Sequence, residues 1–535
     1  MTAAFLAGLL LTDQVAAHIL RKQAQLLGER TFTVCGDASV SYAEADRRAD
    51  RIASAFHTLG TVKGQRVALL LHNRLEYLDL WFGLSRIGAI QLPLNVAYKG
   101  LQLLHTLKRA PVSILVVEDM LLPELEAIID QIVDLKCLIV IGNIKPRCKV
   151  KYLFLNDILD LPSAPAPAIP MSGADVGAIM NTSGTTGPSK GVLLSHAQQY
   201  LLGRNIARDL ELTENDVYYN FFPLFHNTAQ AMITLPVLLS GAKMVLTDRF
   251  SVSRFWPDVR THGCTAFYYI GEILRILLKT FDAPEGEGTS LRIGWGIGAS
   301  PKDFEEFQLR HGVKLRSGYG STEANVPIFL PRNNIDSSSV GCVIDGFQVR
   351  VADGSNDPLP EGKTGEILVR SSEPGAVMLG YDGDPDATVA AWKDLWFHTG
   401  DAGFFDAAGN LHFVGRVRDA IRVRGENVSA FEIEAVVSHI DGVLEVAAIA
   451  VPCELGGDEI KIAVVVRPEA QLTAEALIAY AQTHLPRFAV PRYVEFVAEL
   501  PKTETNKVRK NVLRETPFTA ATWDRLGQQQ QQQQQ

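Results

Sequence analysis

The stretch NTSGTTGPSKGV at residues 181–192 gathers five hydroxyl side chains and three glycines around a single lysine. The commonest phosphate loop has the spacing G-x-x-x-x-G-K-[ST] and opens a helix after a strand. Counted from Gly184, position 189 holds Ser189, followed by Lys190 and Gly191, so that spacing fails. Gly191-Val192-Leu193-Leu194 reads as a short apolar strand, and a helix becomes favourable only after the N-cap candidate Ser195. The loop is therefore expected to join two strands. Its backbone N–H groups, freed to turn by Gly184 and Gly187, can wrap a di- or triphosphate together with the hydroxyls of Thr182, Ser183, Thr185 and Thr186. Lys190 supplies a point charge. The plain alternative is a polar surface turn with a solvated lysine, which this density of hydroxyls and glycines disfavours.

Working outward, 535 residues exceed one ordinary core, so two or more domains are expected. The chain is 47% hydrophobic and 21% charged, with no apolar run long enough to span a bilayer, which predicts a globular protein without stable membrane insertion. A net charge of −9 argues against a general nucleic-acid binder. The six cysteines are scattered, without C-x-x-C or a histidine at metal spacing, so no zinc site is expected and reduced thiols in the cytoplasm are. FLAGLLL (5–11) imitates the apolar part of a signal peptide but lacks a basic flank and predicts a buried helix or strand. The glutamine run at 528–535 is low-complexity.

Between Ser41 and Glu118 helical and strand patterns alternate: SYAEADRRADRIASAFHTLG is amphipathic, RVALLLH strand-like, EYLDLWFGLSRIGA helical, and SILVVED a buried strand. That alternation predicts an α/β domain with a largely parallel sheet. After a proline-rich connector, LPSAPAPAIP (161–170), a second helix–strand series leads to the glycine-rich LRIGWGIGASP. Beyond 340 the texture is strand-dominated, predicting a small β subdomain, and after Gly415 it changes again to an α+β pattern. The expected organisation is a large N-terminal domain of stacked α/β sheets plus the β subdomain (1–417), a mobile α+β C-terminal domain (418–517) and a disordered tail (518–535).

Eight motifs then occur in order: TSGTTGPSKG, FFPLFHN (221–227), GIGASP (296–301), GYGSTE (318–323), GEILVR (365–370), WFHTGD (396–401), GRVRDAIRVRGENV (415–428) and LPKTETNKVRK (500–510). Together they resemble the acyl-adenylate-forming enzymes, which include acyl-CoA synthetases, firefly-type luciferases and the adenylation domains of peptide synthetases. The resemblance implies ATP, Mg²⁺ and coenzyme A as ligands, a carboxylic acid as substrate, and an open expectation of a homodimer.

It also implies roles for single residues. GYGSTE would close the nucleotide site: Gly318 and Gly320 flank Tyr319, whose face is offered to adenine, Thr322 turns a hydroxyl to phosphate, and Glu323 gives Mg²⁺ a hard oxygen. Gly298, Ala299 and Ser300 of GIGASP would line the same nucleotide. Asp401 resembles the carboxylate that accepts the ribose hydroxyls, with Arg416 as its companion. Lys507 resembles the near-terminal lysine that stands between two anions as the acid carboxylate attacks the α-phosphorus of ATP. The family places glycine before that lysine; here it is Asn506, the non-glycine residue most tolerant of positive φ. Lys502 and Lys510 read as solvated charges. For the second half-reaction the resemblance implies a hinge at Arg418, a pantetheine tunnel lined by Gly425, an aromatic gate at His226, which outside its PLFHN setting would read as a core histidine, and phosphates of CoA met by the pair Arg422 and Arg424, for which exposed strand arginines are the simpler explanation.

The leading expectation is an AMP-forming acid:CoA ligase. An adenylating enzyme that passes its acyl group to a carrier protein or an amine is the alternative, but amino-acid-activating relatives place aspartate after the equivalent of Phe225, where this chain has His226-Asn227. A non-catalytic nucleotide-binding homologue is the third reading, opposed by retention of Lys190, Glu323, Asp401, Arg416 and Lys507. WFGLSRIGAI, SRFWPDVR and RGENVS resemble the crotonobetaine/carnitine-CoA ligase branch. A betaine would want an aromatic cage or a carboxylate, for which Tyr268, Tyr269, Glu272 and Trp295 are candidates that fit a core at least as well.

Overall fold

Ser41 caps the helix Tyr42–Thr58 by accepting from the Glu44 amide, and the apolar spacing of that helix buries Ala45, Ala49, Ile52, Ala53 and Phe56. It packs on Leu75–Arg86, where Gly83 lets the helices close: a Cβ there would lie 2.4 Å from Ile52 Cγ2. The computed structural model describes residues 3–161, 164–182, 190–281, 283–332, 338–417, 420–423, 426–452, 458–485, 489–503 and 507–526. Two compact units emerge, one of 1–182, 189–348 and 369–397, the other taking in 349–368 and 398–535.

The first unit contains an eight-stranded and a nine-stranded sheet. In the eight-stranded sheet Arg66–Leu70, Ile90–Pro93, Ile114–Glu118, Cys137–Ile141 and Lys151–Phe154 run parallel. Val176–Thr182 continues it in parallel next to Ile90–Pro93, and Lys190–Ser195 then returns antiparallel, with Thr182 opposite Lys190. The phosphate-loop stretch thus joins two strands, and Ser195 caps the helix His196–Asp209 by accepting from the Gln198 amide at 3.0 Å. The nine-stranded sheet is parallel from Lys243–Leu246 through Val217–Asn220, Ala266–Ile270 and Ile293–Ile297 to Lys314–Ser321, which turns back into the antiparallel Asn325–Phe329. Leu70, Leu92, Val117 and Val140 build one core, and Phe221, Phe255, Trp256, Phe267 and Phe307 another. Each such side chain contributes about 1.5–3 kcal/mol on burial. The mixed α/β class read from the sequence is the class observed.

In the second unit residues 401–405 pair antiparallel with Leu411–Arg416, so that Asp401 lies opposite Arg416. Helices Ala430–Ser438 and Ala474–His484 accompany the sheet built by Val443–Pro452, Asp458–Val466, Tyr493–Phe496 and Trp523–Asp524.

Two expectations need correction. FLAGLLL yields the helix Ala3–Ala7 with Phe5 buried, but Leu10 is 76% exposed, so the run is not a buried element. Part of the expected tail is ordered: Trp523 and Asp524 pair with Val494 and Tyr493, and Asp524 accepts from Arg492 at 3.0 Å. An apolar edge position at Trp523 and a charge partner for Arg492 hold the chain to the sheet beyond 518. The glutamine run and Cys453 lie outside the described residues; Cys35, Cys137, Cys148 and Cys264 are free thiols.

Candidate active site

Lys190 is exposed at the start of its strand, where the register Thr182↔Lys190 closes the two-strand frame of the loop. Ser183, Gly184, Thr185 and Thr186 fall outside the described residues. The Lys190 ammonium lies over the ring of Tyr381, 4.5 Å from its centroid, within the range of a cation–π contact. The hydroxyl of the same tyrosine donates to Glu323 Oε1 at 3.4 Å. Two of the motif residues picked from sequence, far apart along the chain, are thereby brought to the ring face and the hydroxyl of one side chain.

GYGSTE forms the end of a strand and a tight turn. Gly318 and Gly320 are needed for close approach, since a Cβ at Gly320 would meet Asn325 O at 2.1 Å and one at Gly318 would meet Ile328 O at 2.5 Å. Asn325 takes φ +66° as the returning strand begins, and its side-chain amide donates to Gln198 O and Ala376 O at 3.2 and 3.0 Å. Gln198, on the first turn of the helix after the loop strand, donates to Thr322 O at 2.8 Å and Glu323 O at 3.3 Å, and the Met378 amide donates to Glu323 O at 2.8 Å. The backbone of the carboxylate is therefore fixed from two sides. Tyr319 is only 7% exposed, so its ring is covered almost entirely by protein.

Gly298 is exposed with φ +73°, and its carbonyl would clash at 2.0 Å with a Cβ on Gly271, which packs the GIGASP turn against the helix Gly271–Thr280. Ala299 is half-buried. Ser300 is buried and caps the helix Pro301–His311, accepting from the Asp303 amide at 3.1 Å. His226 is half-buried just before a π-helical turn, Thr228–Thr234, its carbonyl accepting from Ala229 and Gln230. π-helical turns recur at functional sites. Tyr268, Tyr269 and Trp295 do not form a cage. All three are buried, Trp295 stacks on Tyr268, the Tyr269 hydroxyl donates to Arg316 O, and the Trp295 indole donates to Asp209. Glu272 is half-buried in the first turn of its helix.

In the second unit Arg416 Nε lies 2.9 Å from Asp401 Oδ1, and Arg416 Nη1 donates to Thr399 O at 3.1 Å. Thr399 Oγ1 accepts from the Asp401 amide at 3.0 Å. An arginine in this position orients the buried carboxylate, as a hydroxyl-accepting group requires. Lys507 is exposed, and its backbone is tied to Thr503: Lys507 O accepts from the Thr503 amide at 2.7 Å and the Lys507 amide donates to Thr503 Oγ1 at 3.1 Å. Lys502 and Lys510 are not the solvated charges expected, because they pair with Glu445 and Glu434 at 2.8 and 2.7 Å. Arg418 and Gly425 are outside the described residues; Arg422 lies on the strand Ala420–Val423.

Sequence reasoning passed over Tyr381, Gln198 and Asn325. Asn325, two residues beyond GYGSTE, offered a local signal in its tolerance of positive φ, whereas Tyr381 and Gln198 meet the motif only through sheet and helix packing.

Residues 20–382 match the AMP-binding enzyme family and residues 432–507 match the AMP-binding enzyme C-terminal domain, so the chain belongs to the AMP-binding enzyme family. A crotonobetaine/carnitine–CoA ligase of Salmonella paratyphi A is 30% identical over 517 residues, which cover 94% of this chain and all of that protein. The crystal structure of ATP-bound MatB from Rhodopseudomonas palustris has a TM-score of 0.82 at 27% identity, covering 94% of this chain and 98% of that one. The anthranilate CoA ligase AuaEII in complex with anthranoyl-AMP has a TM-score of 0.87 at 25% identity, covering 96% and 98%. These likenesses place the chain among the AMP-forming acid–thiol ligases, whose substrates include ATP and CoA. Among the described residues no helix is long and apolar enough to cross a membrane.

Proposed function

We propose that this protein is an ATP-dependent acid:CoA ligase working in two half-reactions. In the first, a carboxylate oxygen bonds to the α-phosphorus of ATP, and the bond to the β-phosphate bridge breaks, giving acyl-AMP and pyrophosphate. In the second, the CoA thiolate attacks the acyl carbonyl, AMP leaves, and the thioester forms. The observation that carries this reading is the joint placement around Tyr381 of Lys190, which follows a run rich in hydroxyls and glycines, and Glu323, the carboxylate of GYGSTE.

Lys190 and the loop hydroxyls of Thr182, Ser183, Thr185 and Thr186 meet the β- and γ-phosphates in this scheme. Asp401, held by Arg416, accepts the ribose hydroxyls, and Lys507 neutralises the two anions that meet at the α-phosphorus. Among the described residues no group of three or more His, Cys, Asp and Glu could cage a metal ion. Mg²⁺ binds through phosphates and one or two carboxylates and keeps several waters. Glu323 would hold it, and the ion would supply charge neutralisation of the departing pyrophosphate. The second step takes the C-terminal domain from residue 418 onward through a rotation at Arg418, with His226 as gate, Gly425 lining the pantetheine path and Arg422 near the phosphates of CoA. The cytoplasm, where CoA and reduced thiols coexist, is the proposed compartment.

For the acid, betaines of the kind named in the Salmonella relative are the first to test, with Glu272, half-buried in the first turn of its helix, as the carboxylate proposed to face a cationic group. The experiment incubates the protein with ATP, MgCl₂, CoA and a panel of betaine, aliphatic and aromatic acids, and measures pyrophosphate and thioester. Both products are expected with at least one acid. Pyrophosphate without thioester would redirect the acyl group to a carrier protein or an amine, and absence of pyrophosphate with every acid would leave a non-catalytic homologue.

Glu323→Gln keeps the shape of the side chain and removes its charge. Its main-chain anchors from Gln198 and Met378 do not depend on the carboxylate, so the fold is expected to persist. The Mg²⁺ concentration for half-maximal pyrophosphate release is expected to rise by at least about tenfold. Superimposable magnesium titrations for the two proteins would take Glu323 off the metal.

A further inference from the structure

We infer that Tyr381 is a positioning residue that keeps Lys190 and Glu323 apart and aimed at different parts of the nucleotide, an inference that rests on the reading of those two residues given above. An exposed ammonium and a half-buried carboxylate that both touch one side chain attract each other, and a direct ion pair between them would occupy both the phosphate-binding charge and the metal-binding oxygen. Among the described residues Lys190 and Glu323 form no such pair. Each instead meets Tyr381, the ammonium over the ring face at 4.5 Å and the carboxylate at the hydroxyl through a long hydrogen bond of 3.4 Å.

The tyrosine can act as a spacer because its backbone is fixed. Tyr381 lies opposite Val192 on the edge of the loop strand. Its neighbours are anchored to the same strand, the Leu379 amide donating to Leu193 O at 3.0 Å and the Asp382 amide to Gly191 O at 2.8 Å. The Tyr381 amide donates to Thr388 Oγ1 at 2.8 Å, and Asp382 pairs with Arg66 at 2.6 Å. At its other end the segment reaches the second motif, where the Met378 amide donates to Glu323 O at 2.8 Å. Residues 378–382 therefore bind both the strand that carries the lysine and the turn that carries the carboxylate. A cation–π contact also suits a waiting ammonium: it orients the group without the strength of a carboxylate pair, so phosphate oxygens can take it over.

The two contacts separate by substitution. Tyr381→Phe keeps the ring and removes the hydroxyl, while Tyr381→Leu removes both. Binding of α,β-methylene-ATP is measured by titration calorimetry, with and without MgCl₂ and with no acid present, so that no chemistry occurs. The leucine variant is expected to bind the metal-free analogue roughly tenfold more weakly than the parent. The phenylalanine variant is expected to match the parent without metal and to lose part of the enhancement that Mg²⁺ gives. Lys190→Ala and Glu323→Gln are titrated alongside. If these two also bind like the parent, the nucleotide-site reading itself fails. If they weaken binding while both Tyr381 variants bind like the parent, or if the phenylalanine and leucine variants are indistinguishable, the positioning role is overturned and the nucleotide site stands. Should the leucine variant not fold, the phenylalanine variant decides, and an unchanged Mg²⁺ enhancement refutes the role.

Discussion

Lys507→Ala is expected to lower the rate of acyl-adenylate formation by about 10²-fold or more, while capture of supplied acyl-adenylate by CoA continues. The reasoning starts from charge. A carboxylate approaching the α-phosphorus of ATP brings anion to anion, and a cation between them is worth about 3 kcal/mol or more in the transition state, each 1.36 kcal/mol being a factor of ten. Alanine should not disturb the local backbone, because both bonds that tie residue 507 to Thr503 are made by the backbone of residue 507. Nor can the neighbouring lysines substitute, since Lys502 and Lys510 are committed to Glu445 and Glu434 at 2.8 and 2.7 Å. Alanine at either of those positions removes an ion pair and is expected to leave adenylation within a few-fold of the parent. The two half-reactions are followed separately, by pyrophosphate release and by thioester formation from synthetic acyl-AMP. Equal losses in both would mean that Lys507 acts through the fold or through CoA and has no special part in adenylation.

How much of this could be read from the chain depends on the range over which each feature is determined. The strand–loop–strand frame around Lys190 was legible because it is local: an apolar run of four residues after Lys190 and a serine positioned to cap the next helix leave little choice. The parallel sheet was legible from alternation of helical and strand periods between Ser41 and Glu118. Isolated aromatics were harder to read. Tyr268, Tyr269 and Trp295 sit on adjacent buried strands, Ala266–Ile270 and Ile293–Ile297, and a run such as AFYYI carries no mark that separates a core face from a ligand pocket. FLAGLLL failed for the opposite reason: apolar character along the chain does not tell which side a short terminal segment turns inward. Tyr381 could not be found by spacing at all, because its meaning comes from the register Tyr381↔Val192 and from the turn that brings Glu323 beside it.

Arg316→Met is expected to destabilise the first unit by about 3–5 kcal/mol, the usual cost of leaving one member of a buried ion pair without the other. Arg316 and Asp209 have side chains only 6% and 7% exposed, and two bonds join them, Nη2 to Oδ1 at 2.6 Å and Nε to Oδ2 at 3.1 Å. The arginine also donates to the carbonyls of Leu330 and Pro331, and the Trp295 indole donates to Asp209 at 3.2 Å. Asp209 ends the helix His196–Asp209, where the helix dipole disfavours a negative charge, and its second cationic neighbour, the half-exposed Arg332, stands farther off at 4.0 Å, so the aspartate depends on Arg316 more than a mid-helix residue would. The pair matters to the site because of what it joins. One end of that helix holds Gln198, which fixes the Thr322–Glu323 turn, and the strand carrying Arg316 runs directly into that turn. Methionine nearly preserves volume and cannot pair, so thermal melting should fall by several degrees and nucleotide affinity should weaken with it. The double variant Arg316→Met/Asp209→Leu removes the stranded charge and is expected to recover a substantial part of the lost stability. A single variant as stable as the parent would show that water reaches Asp209 and that the pair is not what locks the helix to the strand; a double variant no better than the single would assign the loss to the carbonyl contacts at Leu330 and Pro331.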